Sequence, residues 1–454
     1  MAGEPPRLTL VPGGDDRHAV PPAAGAPDVA AARELVALGT GLTLTCVLLA
    51  RIGGLARSLA AFQVLYAIGF ACFALALTRA RHRPVPRAGL IVFAVAAAAR
   101  LALLPVVPSL SDDIYRYLWE GRVVAHGQDP YRHGPTDPAL VPLRDQDVYP
   151  RVNHPELATI YPPLAIAGFA LVAAVTPTVL AMKTWVVLHD LALVALLIAW
   201  ARRRGVGAQA AIAYAWNPLV VVEHAGNGHH DATAIVWLIA ALVLAERRPI
   251  LSAVALAVGA LVKLAPLAAL PFLLARWPWR ARVTALLAIA SGLGWLWSET
   301  RGADSGLTAY VRTWSNNELA FVYLARLVGD PITARWAALA IVAALTATLV
   351  VAWRGREAEA GTRSTLRAGF LLSPVAHPWY LAWVLAFEPL GPSAPWLLLS
   401  LTAILSYGVL AAPAEGGRFH LSLAWRWIEY GLPLMVALAL GAARFVGRRA
   451  SRRR

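Results

Sequence analysis

The sequence predicts an all-α polytopic membrane protein, and three observations carry that prediction. Of 454 residues, 58% are hydrophobic and only 15% charged, with a mean hydropathy of +0.58; a soluble domain has no interior large enough for that much apolar surface. The apolar residues gather in runs that approach the ~20 residues a bilayer core requires. The basic residues behind the net charge of +15 fall in short clusters between those runs, at 79–87, 201–205, 246–249, 276–282, 353–357 and 448–454. Such clusters follow the positive-inside pattern, so they set topology and do not form a nucleic-acid surface. Cys46 and Cys72 both lie inside apolar runs, which supports neither a disulfide framework nor a thiolate metal site.

Residues 1–33 are rich in Pro, Gly and Ala, lack the apolar core of a signal peptide, and read as a disordered cytoplasmic tail. A single transmembrane domain follows over 34–444, then a basic cytoplasmic tail over 445–454. Spans are expected near 34–51, 56–78, 88–107, 179–201, 208–225, 232–246, 283–298, 333–353, 395–411 and 427–444. With the irregular pieces this makes about eleven to thirteen membrane helices, with short surface-lying helices in the outer loops. Three spans carry the chain from the inner tail to a large outer loop at 108–163. Basic runs on either side place the tip "GNGHHD" (226–231) outside, and the same parity places "HPWY" (377–380) and a second outer loop (298–332) there. Segment 251–275 is split by Lys263 and Pro266 into halves of about twelve residues, too short to cross singly, and reads as a broken or re-entrant hairpin buried in protein. Segment 160–178 breaks the parity if it spans, and is expected to lie in plane or re-enter. No internal repeat of convincing length is present.

The outer loop opens with "SLSDDIYRYLWEGRVVAHGQDPY", where Asp112 and Asp113 stand next to lipid. A charge there is expensive and marks a functional candidate. A helix starting near Ser111 puts Asp113, Tyr117, Glu120 and Val124 on one face and Ile114, Leu118 and Gly121 on another. Asp112 or Ser111 serves as its N-cap on the bland reading; on the other, one of the two carboxylates is a general base at the membrane boundary.

Taken with "HPELATIYPPLA" (154–165), "YAWNPLVVVEHAGNGHHDA" (214–232), "ALVKLAPL" (260–267) and "SPVAHPWYLAW" (373–383), this stretch resembles the polyprenyl-phosphate-mannose-dependent mannosyltransferases of the GT-C superfamily over residues 88–390. The resemblance implies a GT-C fold, a polyprenyl-phosphate sugar donor, a glycolipid or glycan acceptor, a site facing the periplasm or exterior of a bacterial inner membrane, no cofactor and no required metal. It also implies that an outer-loop acidic residue is the base, and the family pattern aligns best with Asp113, ahead of Asp112. A phosphodiester-activated donor needs one base for the acceptor hydroxyl and groups to hold the departing phosphate, hence single displacement with inversion.

His229 and His230 at the glycine tip, His377, Lys263, Arg116, Tyr117 and Tyr380 are the candidates for holding donor phosphate and sugar. The family more often carries Asn where His230 stands. Trp379 and Tyr380 are expected to stack on a sugar ring. Lys263 has an alternative, snorkelling to the cytoplasmic face, and Arg116 and Arg122 have structural pairs within reach in Glu120 and Asp129. His229, His230 and Asp231 are adjacent and so poorly arranged to share a metal. Glu223 and His224 either serve the site or bond each other, and Asp190 with His189 ties helices together. Trp314, Asn316 and Asn317 in "TWSNNELAF" (313–321) are the candidates for binding the acceptor. Competing expectations are another polyprenyl-phosphate sugar, arabinofuranose or aminoarabinose, and a flippase or transporter for lipid-linked sugars.

Overall fold

The computed structural model describes residues 28–81, 83–301, 305–353, 358–411 and 421–452, with side chains as far as Phe445. The expected N-terminal tail lies outside these residues up to 27, and part of the second outer loop and the end of the C-terminal tail do so too. Among the described residues the chain is helical, with one isolated bridge between Asn316 and Val375.

Helices form where the apolar runs lie. α1 (Val29–Arg51) starts behind Asp28, whose carboxylate accepts the Ala31 N–H at 2.8 Å. It packs against α2 (Leu59–Ala80) and α3 (Ala88–Leu103), and Arg83 in the α2–α3 turn bonds Asp28 and Glu34 at its foot. α4 (Asp113–Ala125) and α5 (Pro163–Val175) lie in close contact because Gly121 has no side chain: a Cβ there would sit 2.3 Å from the Phe169 carbonyl oxygen. α6 (Val179–Arg203) follows. Its Asp190 accepts from Arg100 Nε at 2.6 Å and Tyr214 OH at 2.9 Å and stands 3.3 Å from His224, tying α3 and α6 to the segment that follows. His189 bonds only the Trp185 carbonyl of its own helix, among the bonds described.

The expected span at 208–225 is not a regular helix. It divides into single turns α7 (Ile212–Ala215) and α8 (Pro218–Val221), then a π-turn at Val222–Asn227. Asn217 before Pro218 explains the break: proline lacks an N–H and forces its predecessor out of the helical region, and Asn217 (ψ 120) caps the next turn through Leu219 N–H. The remaining helices are α9 (Ala232–Leu244), α10 (Pro249–Val262), α11 (Leu270–Arg276), α12 (Trp279–Thr300), α13 (Gly306–Thr313), α14 (Ala320–Val328), α15 (Pro331–Trp353), α16 (Ala358–Leu372), α17 (Leu381–Leu385), α18 (Ala394–Thr402) and α19 (Leu423–Arg452).

Seven described stretches are long and apolar enough to cross a membrane: Val29–Arg51, Leu55–Ala80, Val179–Arg203, Trp279–Thr300, Pro331–Trp353, Ala394–Ala411 and Leu423–Phe445. Five shorter apolar helices accompany them, so the protein is an all-α polytopic membrane protein. Two of the short ones occupy the irregular segments. α5 has 13 residues, about 20 Å at 1.5 Å per residue. α10 ends at Val262, Lys263 is extended (φ −156, ψ 141), and a 3-10 turn at Ala265–Ala269 leads into α11.

α4 differs from the amphipathic surface helix expected of it. Every residue from Ile114 to Gly121 is buried, because α5 covers one side and the loop after residue 150 the other. Arg116 forms the second contact, donating to Glu120 at 2.6 Å and to the carbonyls of Asn153, His154 and Leu157.

Candidate active site

A cavity of about 680 Å³ opens where the start of α4, the loop 153–162, the break after α10, α13, α16 and the turn before α17 meet. Its lining is mixed, with polar side chains that include Asp113, Asn153, Lys263, His377 and Tyr380 and apolar ones that include Leu264, Ala268, Leu296, Val342, Leu366 and Phe370.

Asp113 is the first residue of α4, where the helix dipole favours a carboxylate. Ser111 Oγ accepts its N–H at 3.3 Å, while Asp112 makes no capping bond, is exposed and is not on the cavity wall. Asn153 Nδ2 donates to Asp113 Oδ1 at 2.8 Å. That leaves Oδ2 toward the cavity and toward His229 Nε2, 3.8 Å away, with the Asp113 side chain 26% exposed. Upstream of α4, Lys183 Nζ donates to the Leu103 and Val106 carbonyls and fixes the chain as it leaves α3.

The glycine tip packs directly behind Asp113. Gly228 has φ +79, and a Cβ there would lie 2.5 Å from Ile114 Cδ1, so both conformation and contact require glycine. Gly228→Ala is expected to cost about 1–2 kcal/mol in backbone strain alone and to push α4 away. Thermal unfolding of the purified variant should show the lowered midpoint.

The three polar residues after Gly228 diverge. His229 Nδ1 meets Glu223 Oε2 at 3.0 Å, and His229 is 1% exposed. His230 sits among the rings of Tyr117, Tyr161 and Phe169, at 5.0, 5.3 and 5.2 Å. Burial there, reinforced by the Lys263 charge, pushes its pKa down to about 3. Asp231 turns the other way, accepting from Lys263 Nζ at 2.7 Å and Trp383 Nε1 at 2.6 Å on the same oxygen. Burial raises its pKa, but the Lys263 ammonium more than offsets this and holds it at about 2. Neither expected phosphate-holding histidine of the tip lines the cavity; both stand behind Asp113 and Tyr117.

Lys263 does line it. Its ammonium lies 5.0 Å over the Tyr380 ring while bound to Asp231, which replaces the snorkelling alternative with an inward-turned charge. Arg116 reaches the wall but is spent on Glu120 and three carbonyls, and Arg122 pairs with Asp145, not Asp129. Tyr117 lines the wall with its ring stacked on Phe169 at 4.7 Å.

Trp379 is sandwiched between His229 and His377, with near-parallel rings at 3.7 and 4.1 Å. Both indole faces are taken, so the sugar stacking expected of it is unavailable to it. His377 Nδ1 is 2.7 Å from Asn316 Nδ2, and an amide NH2 only donates, so the imidazole carries its proton on Nε2. Burial, reinforced by the Lys263 ammonium, pushes His377 down to about 3, so it serves as a neutral donor.

The expected acceptor residues separate. Trp314 stands on the wall beside Tyr310 and His154, at 4.9 and 4.5 Å. Asn316 orients His377. Asn317 is 2% exposed and gives its amide to the Glu429 carboxylate at 2.9 Å, anchoring α19 instead of facing the cavity. Asn153, Tyr310 and the Glu223–His229 pair were not singled out by the sequence. The sequence weighed Glu223 only with His224 and Asp231 only as a metal ligand beside His229 and His230, and so found neither the His229 nor the Lys263 partner.

A family model described as alpha-(1->6)-mannopyranosyltransferase, N-terminal domain, matches residues 31–279. The chain is 26% identical over 405 aligned positions to a probable alpha-(1->6)-mannopyranosyltransferase of Mycolicibacterium smegmatis, covering 70% of this chain and 68% of that one. It is 29% identical over 154 positions to an alpha-(1->6)-mannopyranosyltransferase of Mycobacterium tuberculosis, covering 31% of this chain and a quarter (25%) of that one. No solved structure matches.

Proposed function

The chain belongs to the alpha-(1->6)-mannopyranosyltransferase family, and from that premise we propose how this mannosyltransferase works. It takes mannose from a polyprenyl-phosphate donor at the outer face of a bacterial inner membrane, with both termini cytoplasmic. The sugar passes with inversion to a hydroxyl of a glycolipid or glycan, alpha-(1->6) as in the relatives' names, and Asp113 is the general base. The mixed lining of the cavity is the observation that carries this reading: charged and hydrogen-bonding side chains beside many apolar ones suit a molecule with an anionic, sugar-bearing head and a long apolar tail.

Each wall residue then has a task. Asp113 Oδ2 accepts the proton of the acceptor hydroxyl, with Oδ1 fixed by Asn153. Lys263 and the Nε2–H of His377 hold the departing phosphate, and Tyr380, under the ammonium, borders the same place. Trp314 offers its ring to the acceptor. The polyprenyl chain runs along Leu264, Leu366 and Phe370.

The test is to incubate the protein in nanodiscs with radiolabelled polyprenyl-phosphate mannose and measure donor consumption. Consumption supports the reading. Donor bound or moved across the bilayer without consumption replaces it with the flippase, and consumption only of an arabinofuranose or aminoarabinose donor changes the sugar. The tail path has its own check. A Cβ at Gly369, beside Phe370 in the cavity lining, meets nothing within 4 Å, so a larger side chain there fills empty space. Gly369→Leu is expected to lose most activity with a long-chain donor and keep it with a short-chain one, in parallel kcat/KM measurements.

A further inference from the structure

Behind Asp113 runs a line of titratable groups that a lone carboxylate base does not require. Glu223 receives Tyr407 OH on Oε1 at 2.6 Å and Asn227 Nδ2 on Oε2 at 3.0 Å, so donors meet both of its oxygens. Its Oε2 also meets His229 Nδ1 at 3.0 Å, which places the imidazole proton on Nδ1 and a lone pair on Nε2. That Nε2 has no hydrogen-bond partner among the described residues and faces Asp113 Oδ2 at 3.8 Å. Two acceptors facing each other stand apart; a proton between them closes the gap to a hydrogen bond. The ring cannot swing away, because Trp379 lies flat against it.

We propose that His229 is a positioning residue acting through Asp113, held by Glu223, that takes over the proton Asp113 removes; it is not a ligand of the donor phosphate. As the acceptor oxygen bonds the anomeric carbon, the bond from that carbon to the phosphate oxygen breaks and its electron pair leaves with polyprenyl phosphate. The acceptor proton goes to Asp113 Oδ2 and on to His229 Nε2, giving a carboxylate and an imidazolium paired with the Glu223 carboxylate. Water removes the proton when the products depart. Moving it away from Asp113 prevents its return to the newly formed glycosidic oxygen.

This inference rests on Asp113 being the base, and the experiment separates the two. Wild type, Asp113→Asn, His229→Gln and Glu223→Gln are compared in nanodiscs with polyprenyl-phosphate mannose, measuring donor Kd and kcat per donor-binding site, so that unfolded protein does not register as lost catalysis. For both His229→Gln and Glu223→Gln, kcat should fall about 100-fold with donor Kd unchanged within two-fold. Unchanged kcat in both, or a donor Kd weakened in step with activity, overturns the relay and returns His229 to phosphate binding. Full activity in Asp113→Asn sinks the base assignment itself, whatever the other two variants do.

Discussion

Asp113→Asn should fold, bind donor with wild-type affinity and lose about 1,000-fold or more in kcat, within the ~10²–10⁴ range that a positioned general base contributes. The substitution is isosteric, and the bond from Asn153 to Oδ1 survives because that oxygen remains an acceptor. What disappears is the lone pair on the other oxygen, the one that faces the cavity and His229. Asp112→Asn is the matched control. Its side chain is exposed, off the cavity wall and makes no capping bond, so activity should stay near wild type. A quenched-flow measurement of donor turnover in both variants decides between the two carboxylates, and loss confined to Asp112→Asn would move the base one residue upstream.

Lys263→Met should be the most destabilising single change at the site, by about 3 kcal/mol. It leaves the fully buried Asp231 carboxylate with only the Trp383 indole as donor. The figure belongs at the low end for a broken buried pair because the ammonium is 22% exposed. A second substitution separates stability from function. Lys263→Met with Asp231→Asn removes the stranded charge and should recover most of the unfolding temperature, while donor KM stays raised at least ten-fold. Recovery of both stability and donor affinity in the double variant would mean that Lys263 is purely structural.

The parts of this protein that could be read from its sequence are those whose information is local. Apolar runs announced most helices, Lys263 with Pro266 announced the break after α10, and "DD", "GNGHHD" and "HPWY" each delivered a residue to the site or directly behind it. What escaped depends on distance along the chain or on irregular backbone. Asn153 reaches Asp113 from 40 residues away on a loop without periodicity. Glu223 and His229 are six residues apart, a spacing that no α-helical pattern pairs, and meet because a π-turn widens the backbone between them. The run 208–225 is apolar enough to read as a span, yet Asn217–Pro218 overrules hydropathy by denying it a continuous hydrogen-bond ladder. Asn317 looked like a sugar ligand since amides outside helices often are; only the fold reveals Glu429 beside it.

The stack of His229, Trp379 and His377 joins two stretches of chain that evolution can treat differently. Asp113, Asn153, Glu223 and Lys263 all lie within the matched region 31–279, whereas Tyr310, Trp314, Gly369, His377 and Tyr380 lie beyond it. In the proposed mechanism the first part holds the proton chemistry, and the second supplies half of the residues that line the cavity. Drift around Trp314 in the second part can therefore retune which acceptor fits without disturbing the proposed reaction, provided His377 is kept, Trp379 keeps its place against His229 and Trp383 its bond to Asp231. Those two tryptophans are the seam across which new specificities can be grafted onto an old catalyst.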